Sequence, residues 1–97
     1  MNLTSKQRAY LKGLANEIDP IYQIGKESLT PTIVKGLDEA LNARELIKVS
    51  ILKNCDGDIK EIARTAAERT RSSLVQVIGR RFILYKPADE PMIELPK

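Results

Sequence analysis

The apolar residues of this chain alternate between helical and strand-like spacing, and that alternation limits its possible folds more than any other feature. Some segments place apolar residues every three to four positions, while Glu45 to Leu52 places them at every second position. The complete order reads α-β-α-β-α-β-β. It predicts an α/β fold, a compact two-layer domain with a four-stranded mixed sheet, in which strand-helix-strand steps join parallel strands by right-handed crossovers.

End signals mark the boundaries of these segments. Helices are predicted near residues 4–16, 30–43 and 59–71, and strands at residues 21–24, 45–52, 74–78 and 81–85. Thr4 and Gln7 form a capping-box pattern, and Thr30 followed by Pro31 is typical of a helix start. Gly79-Arg80 separates the last two strands, which indicates a hairpin with a two-residue type II′ turn.

Composition indicates a single soluble domain. With 42% hydrophobic and 30% charged residues, the 97-residue chain suffices for one domain at 1–86, followed by a Pro-containing acidic tail at 87–97. The domain carries 15 Lys/Arg against 10 Asp/Glu, and this positive excess suits a polyanionic partner. No apolar run approaches a membrane span or a signal core, and Cys55 is the only cysteine, so we expect a cytoplasmic protein.

The turn Gly25-Lys26-Glu27-Ser28 lies between a predicted strand and the start of a helix. It offers backbone N–H groups, the positive end of the helix dipole, a lysine and nearby hydroxyls, which together suit a phosphate. The predicted topology brings the start of the first helix and the Gly79-Arg80 hairpin to the same carboxyl edge of the sheet, where open α/β sheets usually bind ligands. The candidate contact residues are Lys6, Arg8, Lys12, Gly25, Lys26, Ser28, Thr30, Arg80 and Arg81.

Simpler structural explanations of these features stay open. The Gly25 turn is also consistent with an ordinary strand-helix connection, and Arg80-Arg81 with a charged hairpin tip. Arg69 and Arg71 are better explained as favourable charges at a helix C-terminus. The tyrosines are expected in the core more than on a surface that stacks bases. They are Tyr10, Tyr22 and Tyr85.

Catalytic chemistry is not indicated by the sequence. The chain has no histidine, and its single cysteine has no evident partner for nucleophilic or metal chemistry. Asp56 and Asp58 precede a helix and are expected to cap it rather than to hold a metal ion. The Gly25 turn lacks the longer glycine loop of a Walker motif. We therefore expect neither an enzyme nor a bound cofactor nor a metal site.

Four motifs resemble those of a known family. They are Leu-Thr-Ser-Lys-Gln-Arg-Ala-Tyr-Leu-Lys at 3–12, Ile-Gly-Lys-Glu-Ser-Leu-Thr at 24–30, Glu-Leu-Ile-Lys-Val at 45–49, and Val-Gln-Val-Ile-Gly-Arg-Arg-Phe-Ile-Leu-Tyr-Lys at 75–86. In this order they resemble the YhbY-like family, the bacterial stand-alone form of the CRM domain. The resemblance implies a fold similar to the C-terminal domain of translation initiation factor three, and a domain that binds RNA.

The resemblance also assigns a role to the Gly25 turn. The family's RNA-contacting loop usually reads Gly-x-x-Gly, and it falls on Gly25 to Ser28, where serine replaces the second glycine. Ser28 gives up easy access to a positive φ, and Glu27 adds a charge that repels phosphate. The resemblance thus implies RNA contact at Gly25 to Ser28. The other candidate residues follow from the predicted topology, and we expect all nine to bind RNA together.

Bacterial members of this family associate with precursors of the large ribosomal subunit, so the resemblance implies an RNA-binding protein of ribosome assembly. We expect this protein to be a monomer. Ribosomal RNA is then the expected partner, with no role for DNA or a membrane. Two alternatives stay open. One is an adapter whose basic edge meets an acidic protein partner in ribosome assembly, and the other is a sensor of a small phosphometabolite.

Overall fold

The computed structural model of the protein describes residues 2–97 and has the predicted element order. The helices are α1 (Ser5–Ala15), α2 (Pro31–Arg44) and α3 (Ile59–Thr70). The strands are β1 (Tyr22–Ile24), β2 (Leu46–Ile51), β3 (Ser73–Ile78) and β4 (Arg81–Tyr85). Within residues 2–97, no helix has the length and apolar character needed to cross a bilayer.

The predicted helix starts are confirmed by their caps. The Thr4 side chain accepts a hydrogen bond from the Gln7 N–H at 3.0 Å, and the Gln7 side chain accepts one from the Thr4 N–H. Thr30 accepts from the Ile33 N–H at 3.1 Å, directly before Pro31. These bonds satisfy N–H groups that the first turn of a helix leaves without a backbone partner.

The four strands form one mixed sheet in the order β1-β2-β4-β3. β1 and β2 are parallel neighbours, while β4 pairs antiparallel with both β2 and β3. β2 and β3 therefore run in the same direction with β4 between them. Gly79 has φ 55 and Arg80 does not have a positive φ, as a type II′ hairpin requires.

Helices lie on both faces of the sheet, so the domain has three layers and not the two that were predicted. α2 and α3 pack on one face, against side chains such as Val49 and Phe82. α1 packs on the other face, where Leu11 and Ala15 contact a second cluster that includes Ile83. The physical reason is strand alternation, because β4 buries successive side chains on opposite faces and both faces need a cover.

The C-terminal tail folds back onto the α1 face and is fixed there by Glu45. This residue caps α2 with φ 66, and its fully buried carboxylate accepts hydrogen bonds from the backbone N–H groups of Ala88, Met92 and Ile93. Burial raises the pKa of the Glu45 carboxyl, but these three donors outweigh burial and bring the net pKa below its ordinary value. The tail predicted as an irregular extension is thus anchored by a buried anion.

Candidate nucleic-acid interface

The topology brings three connecting segments together at the carboxyl edge of β1 and β2. The Gly25–Ser28 turn follows β1, Leu52 to Asn54 follows β2, and the hairpin at Gly79-Arg80 leads into β4. A methyl group added to Gly25 would lie 3.7 Å from Leu52 Cδ1 and from Asn54 Oδ1, so the first two segments are in contact. The Ile51 N–H donates to the Arg80 carbonyl at 2.7 Å, so the hairpin reaches the end of β2 and lies at the same edge as the Gly25 turn, as predicted.

The Gly25–Ser28 segment is a hydrogen-bonded turn. The Ser28 N–H donates to the Gly25 carbonyl at 2.9 Å, and Ser28 has φ 56, in the left-handed region. Among residues 2–97, no acceptor engages the backbone N–H groups of Lys26 or Glu27. A shallow recess lined by the turn and the first residues of α2 surrounds these donors. This arrangement can donate hydrogen bonds to an anion beside an exposed lysine.

The two ends of this turn have different backbone requirements. Gly25 does not need the positive φ of a glycine, and an added methyl group would make only ordinary van der Waals contacts. Ser28, at the position of the second glycine in the Gly-x-x-Gly pattern, adopts the conformation that glycine favours. Ser28 thus adopts the positive φ that is less accessible to serine than to glycine.

Arg80 is committed to the fold. Its Nε donates to the Ile51 carbonyl at 2.9 Å and its Nη2 donates to the Leu52 carbonyl at 2.6 Å, which ties the hairpin to the end of β2. Arg81 is exposed, and no hydrogen bond or ion pair engages its side chain within residues 2–97. Of the two hairpin arginines, Arg81 therefore has the guanidinium that is free to meet a ligand.

Arg8 lies away from the carboxyl edge, which differs from the predicted convergence. Its Nη1 donates to the carbonyls of Leu74 and Val75, at 2.6 and 2.9 Å, near the start of β3. The register of β3 against β4 shifts between Leu74 and Gln76, so Val75 is the extra residue of a β-bulge. Arg8 thus anchors α1 to the sheet. The exposed Lys6 and the half-buried Lys12 flank it on the helix.

The edge also has a basic residue that sequence reasoning missed. Lys53 is exposed on the segment after β2, between the Gly25 turn and the hairpin, and its position directly after a predicted strand was the available signal. On the α3 side, a recess beside the turn is lined by acidic residues. They are Glu27, Asp56, Asp58 and Glu61. Positive charge therefore lies on one side of the turn and negative charge on the other.

The remaining assignments are mostly structural. Tyr85 is buried, and Tyr22 packs so closely on α2 that Gly36 has no room for a methyl group, so the core prediction is confirmed for both. For Tyr10 that prediction is wrong, because its side chain is 42% exposed on the outer flank of α1. Asp58 caps α3, as predicted, and Arg69 donates to the Leu29 carbonyl at 3.1 Å.

Known proteins resemble the chain over almost its full length. A protein of Bacillus subtilis named Probable RNA-binding protein YqeI is 45% identical over 95 residues, which cover 97% of this chain and 99% of that protein. A protein of Haemophilus influenzae named RNA-binding protein is 38% identical, with 98% of this chain and 96% of the relative covered.

A solved structure has the same fold. It is the solution structure of a hypothetical protein of Staphylococcus aureus described as a candidate RNA-binding protein, with a TM-score of 0.82 and 49% identity. The match covers 98% of this chain and 100% of that one. The family model described as the CRS1 / YhbY (CRM) domain matches residues 3–86. The chain therefore belongs to the CRS1/YhbY (CRM) domain family.

Proposed function

We propose that this protein is a non-catalytic RNA-binding protein that associates with ribosomal RNA in precursors of the large ribosomal subunit. The observation that carries the proposal is the Gly25–Ser28 turn, which places two unengaged backbone N–H groups and exposed Lys26 before the capped start of α2. Such groups favour a phosphate because they provide fixed donors and positive potential together. The names of the relatives support RNA as the polymer to which this phosphate belongs.

The residues at the edge divide into contacts and supports. Lys26, Lys53 and Arg81 are exposed and available to phosphates. Arg80 holds the hairpin in place through backbone carbonyls, so it positions the edge and adds to its field. Arg8, which lies away from the edge, fixes α1 to the sheet. Phosphate contacts of this kind give affinity without reading sequence, which suits docking on a large folded RNA.

The test is co-sedimentation from cells. A tagged form of the protein is expected to migrate with large-subunit precursors on a gradient and to be released by ribonuclease before the gradient. The Lys26→Glu variant should shift toward the free fractions, whereas Lys35→Glu, an equal charge change at an exposed position on α2, should not. A wild-type protein that never migrates with these precursors would contradict the proposed role.

A second candidate function is an adapter that binds an acidic protein. It is favoured by the exposure of two large apolar side chains at the same edge, Leu52 at 38% and Ile78 at 50%. Apolar side chains beside basic ones are typical of protein interfaces as well. Association that persists after complete ribonuclease digestion would support the adapter and exclude RNA as the main contact.

A further inference from the structure

Half of the α1 face of the sheet is uncovered. α1 and the tail bury side chains toward the start of β2 and the end of β4, including Leu46, Ile83 and Tyr85. Beyond them, at the carboxyl end, one row of side chains crosses all four strands in register. The row reads Gln23, Ser50, Arg81 and Ile78, and none of these residues is buried.

Strand alternation places the whole row on one face. Arg81 lies two positions before Ile83, which packs on the α1 face. Gln23 lies between Tyr22 and Ile24, which both pack on the opposite face. Because successive side chains of a strand point to opposite faces, the row faces the α1 side. Four strands spaced by about 4.8 Å make this open strip roughly 14 Å wide between its outer strands.

The charge of this strip is entirely positive. Lys48 and Gln76 lie one row below, on either side of Ile83, and together with the first row they include two cations and no carboxylate. The Gln7 side chain donates to the Pro96 carbonyl, so the tail runs along one flank of α1. Residues of a helix are offset by about 100° each, so Arg8 and Lys12 lie on the other flank of α1.

The opposite side of the Gly25 turn disfavours a polyanion. Its recess is lined by Glu27, Asp56, Asp58 and Glu61, with Arg69 as the basic residue among them. A nucleic acid held at Lys26 therefore meets repulsion toward α3 and attraction toward the open strip. Complementary charge of this kind sets the orientation of a bound polyanion.

We propose that an unpaired stretch of RNA lies across this open half of the sheet, continuing from the phosphate held at the Gly25–Ser28 turn. The inference rests on the proposed function. It adds that the RNA lies on the α1 side of the edge and that the bound stretch is unpaired. Gln23 and Ser50 offer an amide and a hydroxyl to base edges, and Ile78 offers an apolar contact. Base edges are accessible on unpaired nucleotides, whereas the major groove of an RNA duplex is too deep and narrow for side chains.

The test uses fluorescence anisotropy with a labelled oligouridine about ten nucleotides long. Arg81→Gln removes a cation from the strip, and Gln23→Glu adds a carboxylate on the exposed edge strand. Each should weaken binding about threefold to tenfold, the effect of losing or opposing one phosphate contact. Arg64→Gln and Asn42→Asp make the same chemical changes at exposed positions of α3 and α2, and they should bind as the wild type does.

Three results separate the inference from the function on which it rests. If both strip variants bind like the wild type while Lys26→Glu binds weakly, the inference is wrong and RNA binding at the turn stands. If a duplex of equal length displaces the oligouridine at lower concentration than unlabelled oligouridine does, the preference for unpaired RNA is wrong. A wild-type protein that binds neither RNA overturns the proposed function together with the inference. Thermal melting of each variant verifies that it is folded.

Discussion

Ser28 adopts a backbone conformation that suits glycine better than serine. Its φ of 56 lies in the left-handed region, which costs an L-residue about 1 kcal/mol relative to glycine. We predict that Ser28→Gly raises the free energy of unfolding by roughly 0.5 to 1 kcal/mol. Urea unfolding measures this change.

The neighbouring position provides the control for Ser28. Glu27 is exposed in the same turn and does not have a positive φ, so Glu27→Gly adds only the greater chain entropy of glycine in the unfolded state. It should lower the free energy of unfolding by roughly 0.5 kcal/mol. Destabilisation by both substitutions would show that the turn does not hold Ser28 in the left-handed region.

Glu45 makes stability depend on pH in a defined direction. Its pKa in the folded state lies below the ordinary value of a glutamate, because three backbone N–H donors outweigh the effect of burial. The stabilising contribution is therefore complete above that value, and it is lost as the pH falls through the folded-state pKa. We predict that the difference in unfolding free energy between the wild type and Glu45→Gln is largest near neutral pH and shrinks as the pH falls through the folded-state pKa of Glu45.

The loss of unfolding free energy in Glu45→Gln near neutral pH follows from the hydrogen bonds that glutamine cannot accept. Three backbone N–H groups of the tail donate to the carboxylate, whereas an amide has one oxygen to accept from them. Glu45→Gln should cost about 1 to 3 kcal/mol and speed hydrogen exchange at Met92 and Ile93. An equal cost at every pH would contradict the account of Glu45 as a buried anion. Comparing the two proteins cancels the titration of the other carboxylates.

At the scale of elements, one arginine joins α1 to the sheet. Arg8 donates to two successive carbonyls at the β3 bulge, and hydrogen bonds to a charged group are worth about 1.5 to 3 kcal/mol. We predict that Arg8→Ala lowers the free energy of unfolding by about 2 kcal/mol. Lys6→Ala, in the same helix but exposed, should change it by less than about 0.5 kcal/mol. Similar small losses in both variants would mean that Arg8 is not an anchor.

Local sequence signals predicted the helices and the hairpin well, because capping and turn residues mark where these elements begin. Thr4 with Gln7, Thr30 with Pro31, and Gly79 before Arg80 act over a few residues, and the structure confirms all three. The layer arrangement depends on distant contacts. β4 buries side chains on both faces of the sheet, and α1 covers the second face. Residue spacing alone predicted two layers, with helices on one face only.

At the scale of the whole molecule, charge rather than shape distinguishes the two sides of the candidate site. Sequence reasoning identified the turn and the basic residues near it, yet it could not tell free cations from engaged ones. Arg8 donates to the carbonyl of Leu74, 66 positions away in the chain, and Arg80 donates to the carbonyl of Ile51, 29 positions away. Lys53 was missed because its neighbours across the sheet are set by the tertiary fold.

The salt dependence of RNA binding tests the central claim most directly. Three to five phosphate contacts give a slope of log affinity against log salt of roughly −2 to −3.5 for single-stranded RNA. Lys26→Glu should weaken binding at low salt and make that slope shallower by about 0.7, the contribution of one contact. Lys35→Glu has the same net charge, so it shows whether overall charge alone produces such an effect. We predict the shallower slope for Lys26→Glu only; identical slopes for a folded Lys26→Glu protein and the wild type would contradict phosphate binding at the Gly25–Ser28 turn.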